Sequence, residues 1–148
     1  MNDAANPTHF LLVEDDDDHV EFFRRAMKDA KLANNFSHVA DGEAALAYVG
    51  REPPFEAAIE PDVIILDLHL PKLNGLEVLR ALKSDPATSD IPVVVMSTSD
   101  AAPDRKQAYE AHANSYLVKP MDVEKFHEMV RDLGLYWSVW NQRARDAA

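Results

Sequence analysis

The run Val63-Ile64-Ile65-Leu66 is apolar at every position and stops abruptly at Asp67. A strand with one wet face alternates apolar and polar side chains, whereas an unbroken β-branched run belongs to a strand covered on both faces, as in a parallel sheet flanked by helices. Four more short strands are predicted: His9 to Val13, which also runs into acids, Phe36 to Ala40, Ile91 to Met96, and Ser115 to Val118. Helical spacing fills the gaps. Val20, Phe23 and Met27 predict a first helix reaching about Leu32, and Ala45, Leu46 and Val49 a second after the Asp41-Gly42 turn. Leu76, Leu79 and Leu82 mark a third helix after a loop from Pro71 to Gly75. Asp104 to Ala111 reads as a fourth, poor in large apolar groups, and Val123, Phe126 and Val130 mark a fifth. Arg51 to Pro61 contains three prolines and reads as a longer connection.

Five strands alternating with five helices imply an α/β fold: a doubly wound (βα)5 parallel sheet with right-handed crossovers. The flavodoxin-like strand order 2-1-3-4-5 is taken from precedent at this length, with ligands expected beyond the carboxyl ends of the strands, near the first and third. Chemistry-bearing residues stand at those ends. The first strand leads into Glu14-Asp15-Asp16 and the third into Asp67. Carboxylates forced together raise one another's pKa values. The surface run Asp16-Asp17-Asp18 is expected to splay into water. Glu14, Asp15 and Asp67, each at the end of a buried strand, are better served by a hard oxygen-seeking cation, Mg²⁺ or Mn²⁺. Ser97 ends the fourth strand, and Lys119-Pro120 follows the fifth. Alone, Lys119 would read as a solvated lysine and Ser97 as a loop hydroxyl; their joint placement favours a site.

A formal net charge of −11 argues against binding to DNA or anionic lipid. There is no apolar run near the roughly 18 residues a membrane span needs, and Met1 to His9 lacks a secretion pattern. Cysteine is absent, which excludes disulfides and thiolate metal sites. A cytoplasmic protein without nucleic-acid or membrane partners is expected.

Four pieces, Leu-Val-Glu-Asp-Asp at 12–16, Leu-Asp-Leu-His-Leu-Pro at 66–71, Ser97-Thr98 and Lys119-Pro120, resemble the response regulator receiver family over nearly all of His9 to Asp132. The resemblance implies that Asp67 accepts a phosphoryl group from a cognate histidine kinase. It also implies that Asp15 binds Mg²⁺ directly, that Glu14 acts through ion-bound water, and that the backbone carbonyl of His69 adds a ligand. Lys119 and the Ser97 hydroxyl would stabilise the phosphoryl oxygens. Ser97 and Tyr116 would form the conformational switch, and His69, Thr98 and Ser99 would tune the phosphoryl lifetime. Thr98 is bulkier than the alanine or glycine common there. The Lys119–Pro120 bond is expected to be cis, aiming the ammonium inward. Such a protein is not an enzyme in the ordinary sense, although it phosphorylates itself from small donors and dephosphorylates itself.

Past the receiver, assigned to 8–133, the stripe Val130, Leu133, Trp137 and Trp140 continues at helical spacing into an extension, 134–148. Tyr136, Trp137 and Trp140 carry too much aromatic area to leave in water. Either the tail folds back on its own domain or, the favoured reading, it forms a homodimer contact; Gly134 is expected to bend or end the helix. His112-Ala113-Asn114-Ser115-Tyr116 and Tyr136-Trp137 look like the small single-domain regulators paired with bacterial and cyanobacterial phytochrome kinases, a subgroup that dimerises through C-terminal elements. No output domain is expected, so the signal would leave through the kinase, a phosphotransfer protein or a change of dimer state.

Three other readings compete. A phosphatase of the haloacid dehalogenase type needs a second acid where His69 stands. A flavodoxin would need a Ser/Thr/Gly-rich phosphate loop in place of Glu14-Asp15-Asp16. A pseudo-receiver acting only as a binding module would not need the full set of phosphorylation residues.

Overall fold

The computed structural model describes residues 7–31 and 34–147. Its strands are β1 (Thr8–Val13), β2 (Asn34–Val39), β3 (Val63–Leu66), β4 (Val93–Ser97) and β5 (Ser115–Val118). They form one parallel sheet in the order β2-β1-β3-β4-β5. The helices are α1 (Asp17–Asp29), α2 (Gly42–Val49), α3 (Gly75–Ser84), α4 (Ala102–Glu110) and α5 (Val123–Leu135). Strand alternation divides the core into two layers. Leu11, Val13, Ile64, Leu66, Val93 and Val95 face Ala45, Val78, Leu79, Leu82 and Ala108 of α2 to α4. Phe10, Leu12, Val63, Ile65, Val94 and Met96 face Val20, Phe23, Met27, Phe126, Val130 and Leu133 of α1 and α5. The central strands β1, β3 and β4 are buried throughout, as their apolar runs require.

Local sequence sets the helix starts. Asp16, Asp41, Asn74 and Asp122 each accept backbone N–H bonds from the first turn of the helix that follows, and Asn74 with Glu77 forms a capping box. Asp16 is therefore a cap, while Asp17 and Asp18 project into solvent. Helix α4 is the exception: Ala101 offers no capping side chain, and only Ala108 is buried. Helix α1 is capped at Ala30, so the expected extension to Leu32 reaches outside the described residues. Strand β2 begins at Asn34 rather than Phe36, and β4 at Val93 rather than Ile91, because Pro92 cannot donate to the ladder.

Helix α5 passes straight through the buried Gly134, so the expected break there does not occur. It then widens into a π turn, Tyr136–Trp140, closed by the Asn141 amide on the Tyr136 carbonyl at 2.7 Å. The wider turn takes Trp140 off the stripe. Trp137 packs against the α1/α5 layer, whereas Tyr136 is 53% and Trp140 71% exposed. Beyond it the chain folds back under the amino ends of β1 and β3. Arg145 donates to Asp62 Oδ1 (2.8 Å) and the Pro7 carbonyl (2.6 Å), and the second Asp62 oxygen accepts the His9 amide at 2.8 Å. Arg143 is buried and bonds Thr8 and Asp146. The fold-back is thus present for the last residues, while Tyr136 and Trp140 stay open to a partner.

Gly75 draws α3 against the loop that follows β3. Its amide donates to the Leu68 carbonyl at 3.0 Å, and a Cβ there would lie 2.2 Å from the Asp67 carbonyl oxygen and 2.5 Å from Leu68 Cα. Backbone atoms cannot swing aside as a side chain can. Gly75→Ala should therefore destabilise the protein by about 1–3 kcal/mol, read as a lowered urea midpoint at constant m-value.

Candidate functional site

Three strands each extend their ladder by one residue past the apolar run, which delivers the site. The Glu14 amide donates to Val39 O (3.1 Å), the Asp67 amide to Val13 O (3.1 Å) and the Lys119 amide to Ser97 O (2.7 Å). Glu14, Asp67 and Lys119 are thereby held in strand geometry at one edge of the sheet, and all three are buried. Lys119 Nζ bonds Glu14 Oε1 and lies 2.8 Å from Asp67 Oδ2. The other Asp67 oxygen accepts the His69 amide at 2.9 Å. The Lys119–Pro120 bond, expected cis, is trans; among the described residues the cis peptide is Pro53–Pro54. With the bond trans, the ammonium still reaches both carboxylates, so the isomer that X–Pro bonds favour by about 0.5–1 kcal/mol suffices.

Asp15 is exposed at the rim of the site, and a carboxylate oxygen from each of Glu14, Asp15 and Asp67 fits within a 4.8 Å span. Three hard oxygen donors, one open to solvent, form a set suited to a divalent cation that keeps part of its water shell. Burial pushes the Glu14 carboxyl up from its ordinary 4.5 to about 7, with Lys119 pulling it down and Asp67 pushing it up.

The remaining predicted residues surround this centre. Ser97 is fully buried, and its hydroxyl accepts the Ser99 amide at 3.1 Å. Ser99 bonds onward to Asp104 of α4, and its carbonyl accepts the Tyr116 hydroxyl at 2.9 Å. Tyr116 is half-buried beside the α2–α4 layer. Thr98 is exposed and shares an apolar recess with His19, Phe22, Lys119, Pro120, Met121, Val123 and Phe126. His69 is exposed on the opposite side, near Leu70, Asn74 and Asp104. Tyr136, Trp137 and Trp140 lie in the turn after α5 and take no part in this cluster.

Two histidines that sequence reasoning passed over also reach the site. His38 at the end of β2 lies 2.7 Å from the Glu14 carbonyl oxygen through Nε2. His19, in the first turn of α1, lies 3.0 Å from Lys119 Nζ through Nδ1. The available signal was position: His38 is next to the last β2 residue, and His19 directly follows the acidic run.

The response regulator receiver domain profile matches residues 10–131, and the chain belongs to that family. Among its relatives, the probable methanogenesis regulatory protein FilR2 of Methanothrix harundinacea is 36% identical over 140 residues, 95% of this chain and 90% of its own length. The response regulator Rcp1 of Synechocystis sp. is 35% identical over 138 residues, 93% of this chain and 94% of its own. The crystal structure of the Mn²⁺-bound form of Rcp1 superposes with a TM-score of 0.88, covering 93% of this chain and 99% of that one. That of the phosphorylated cyanobacterial phytochrome response regulator RcpA gives 0.89 at 33% identity, with the same coverage. The fold expected from the strand pattern is thus the fold of the relatives. Receiver domains work with histidine kinases, and the acidic triad here is fitted to a divalent metal. Among the described residues, no helix is long and apolar enough to cross a membrane.

The Glu14 shift carries a sign. The folded carboxyl holds its proton up to about pH 7 and the unfolded one releases it near 4.5. The stability contributed by neutral Glu14 is therefore fully present below 4.5 and is lost as pH rises through 7. The limiting slope is about 1.4 kcal/mol per pH unit. Denaturant titrations of metal-free wild type and Glu14→Gln across pH 5–8 should diverge accordingly, the variant gaining relative to wild type and the difference levelling above pH 7.

Proposed function

We propose that the chain is a Mg²⁺-dependent phosphoryl acceptor, modified at Asp67 by a histidine kinase and signalling by a change of conformation or dimer state. The observation that carries this is the buried Lys119 ammonium, 2.8 Å from Asp67 and bonded to Glu14, beside three convergent carboxylates. A phosphoryl group arriving on an Asp67 oxygen would leave the kinase's phosphohistidine as its P–N bond breaks, giving an acyl phosphate. That transfer concentrates negative charge, and fixed cations meet it most effectively in a dry site. Asp15, Glu14, Asp67 and the His69 carbonyl would hold the ion. Bound there, Mg²⁺ would neutralise charge on the transferring phosphoryl oxygens. Lys119 supplies the second cation, and the His69 amide fixes one Asp67 oxygen.

The switch has a defined starting point. The Ser97 hydroxyl accepts the Ser99 amide, which leaves its own hydrogen free to donate to a phosphoryl oxygen. Ser99 also holds Tyr116 and Asp104, so its loop, Tyr116 and the weakly anchored α4 respond together. His69, Thr98 and Ser99 would tune the lifetime of the phosphorylated state. The exposed Tyr136 and Trp140 support a homodimer contact through the C-terminal elements. The likeness to RcpA, described as a phytochrome response regulator, supports a phytochrome-type kinase as donor, and a phosphotransfer protein would be an alternative partner. The protein would work in the cytoplasm, where such kinases present their phosphohistidine, and would phosphorylate itself from small donors and dephosphorylate itself.

Mixed with acetyl phosphate and Mg²⁺, the wild-type protein should gain one phosphoryl group by intact mass, and Asp67→Asn none. Retained labelling in the variant would remove Asp67 from its role. Opening the recess above Lys119 should also matter: Thr98→Ala should shorten the phosphorylated half-life by about 2–5-fold, a modest share of the 10²-fold that misplacement can cost. Decay followed by Phos-tag electrophoresis tests this, and an unchanged half-life refutes it.

A further inference from the structure

We propose that His19 is a positioning residue: it fixes the Lys119 ammonium in the orientation that phosphoryl transfer to Asp67 requires. The inference rests on the phosphoacceptor reading of the site and assigns His19 a part in it.

His19 is held from two sides. Its amide bonds the Asp16 carboxylate that caps α1 (3.3 Å). Its ring, half-buried, stacks on Phe126 of α5 with centroids 5.8 Å apart and planes 26° from parallel. The imidazole is therefore part of the packed seam between α1 and α5 rather than a free surface group. From there Nδ1 lies 3.0 Å from Lys119 Nζ and 3.5 Å from Glu14 Oε1. The Nδ1 lone pair faces the ammonium in this arrangement, and Nε2 turns toward Asp16, 3.8 Å away.

An ammonium carries three N–H donors and no acceptor. Lys119 meets three acceptors, Glu14, Asp67 and His19, one for each donor. The two carboxylates alone define a line about which a head group on a flexible four-carbon stem can still shift. A third acceptor delivered by a different pair of elements removes that freedom. Glu14 and Asp67 both belong to the acidic triad that would turn to the metal, so among the described residues His19 is the hydrogen-bond partner of the Lys119 ammonium outside the metal site. It can keep holding the ammonium while the carboxylates take up their roles in transfer. Small displacements of a positioned charge are costly in such chemistry.

The stack on Phe126 offers a competing, purely structural role, and two substitutions separate them. His19→Phe keeps an aromatic ring on Phe126 and removes the acceptor. His19→Asn discards the ring and places an acceptor oxygen on Cγ, where Nδ1 is attached. Wild type, both variants and Asp67→Asn would be incubated with acetyl phosphate and Mg²⁺, labelling rates read by intact mass, and Tm measured on the same samples. The expected result is about tenfold slower labelling for His19→Phe with Tm unchanged, and a rate within about twofold of wild type for His19→Asn even if its Tm falls. Wild-type labelling by His19→Phe, or slowing in His19→Asn equal to that in His19→Phe, overturns the inference. His19→Leu serves as the acceptor-free variant if phenylalanine disturbs folding. Absence of labelling in wild type overturns the phosphoacceptor reading itself, which keeps the two failures distinct.

Discussion

A lysine ammonium shared between two buried carboxylates is the interaction on which the rest of this structure turns. Parallel strands end side by side, and wherever their last residues are charged the sheet concentrates that charge at one edge. Here the edge carries Glu14 and Asp67, with Asp15 at its rim, and Lys119 is the positive charge set among them. Removing Lys119 would leave two buried carboxylates facing each other with no counter-charge, which is far costlier than losing a surface pair. Burial is the main reason that Glu14 holds its proton; Lys119 offsets this only in part, and Asp67 adds to the rise. A carboxyl buried among other acids in this way is better served by a nearby cation than by water.

Weak anchoring lies next to this charged centre. Helix α4 buries one alanine and has no side-chain cap, yet its Asp104 is tied to Ser99, which also meets Ser97 and Tyr116. A segment with few apolar contacts, tied to the preceding loop by polar bonds from Asp104 and Arg105, can change position at low free-energy cost when such bonds are exchanged. The opposite face, where α1 and α5 close over Phe10, Leu12, Phe23 and Phe126, has the large side chains that resist such movement.

Much of this is legible in the amino-acid sequence. Central strands announce themselves because burial on both faces demands apolar runs, and Glu14 and Asp67 each directly follow one; Lys119 follows the edge strand β5 and stands out only by its joint placement with them. The edge strand β2 was placed late because Asn34-Asn35 is polar and pairs with β1 alone. His19 escaped because it reaches the site from a helix across a seam that exists only once α1 and α5 pack. The lysine–proline bond is trans although an inward ammonium suggests cis, because the long lysine stem reaches Glu14 and Asp67 from the commoner isomer as well. The docking of Arg143 and Arg145 on the sheet has no local signal either, since Thr8 and Asp62, which receive them there, are distant in sequence.

The π turn after α5 separates the chain's two indoles. One is lodged against hydrocarbon and the other stands in water, three residues apart on the same short segment. The protein thus carries an intrinsic optical probe: emission from the wet indole will shift to the blue and resist quenching by iodide whenever another surface covers that segment, while its neighbour provides an internal reference.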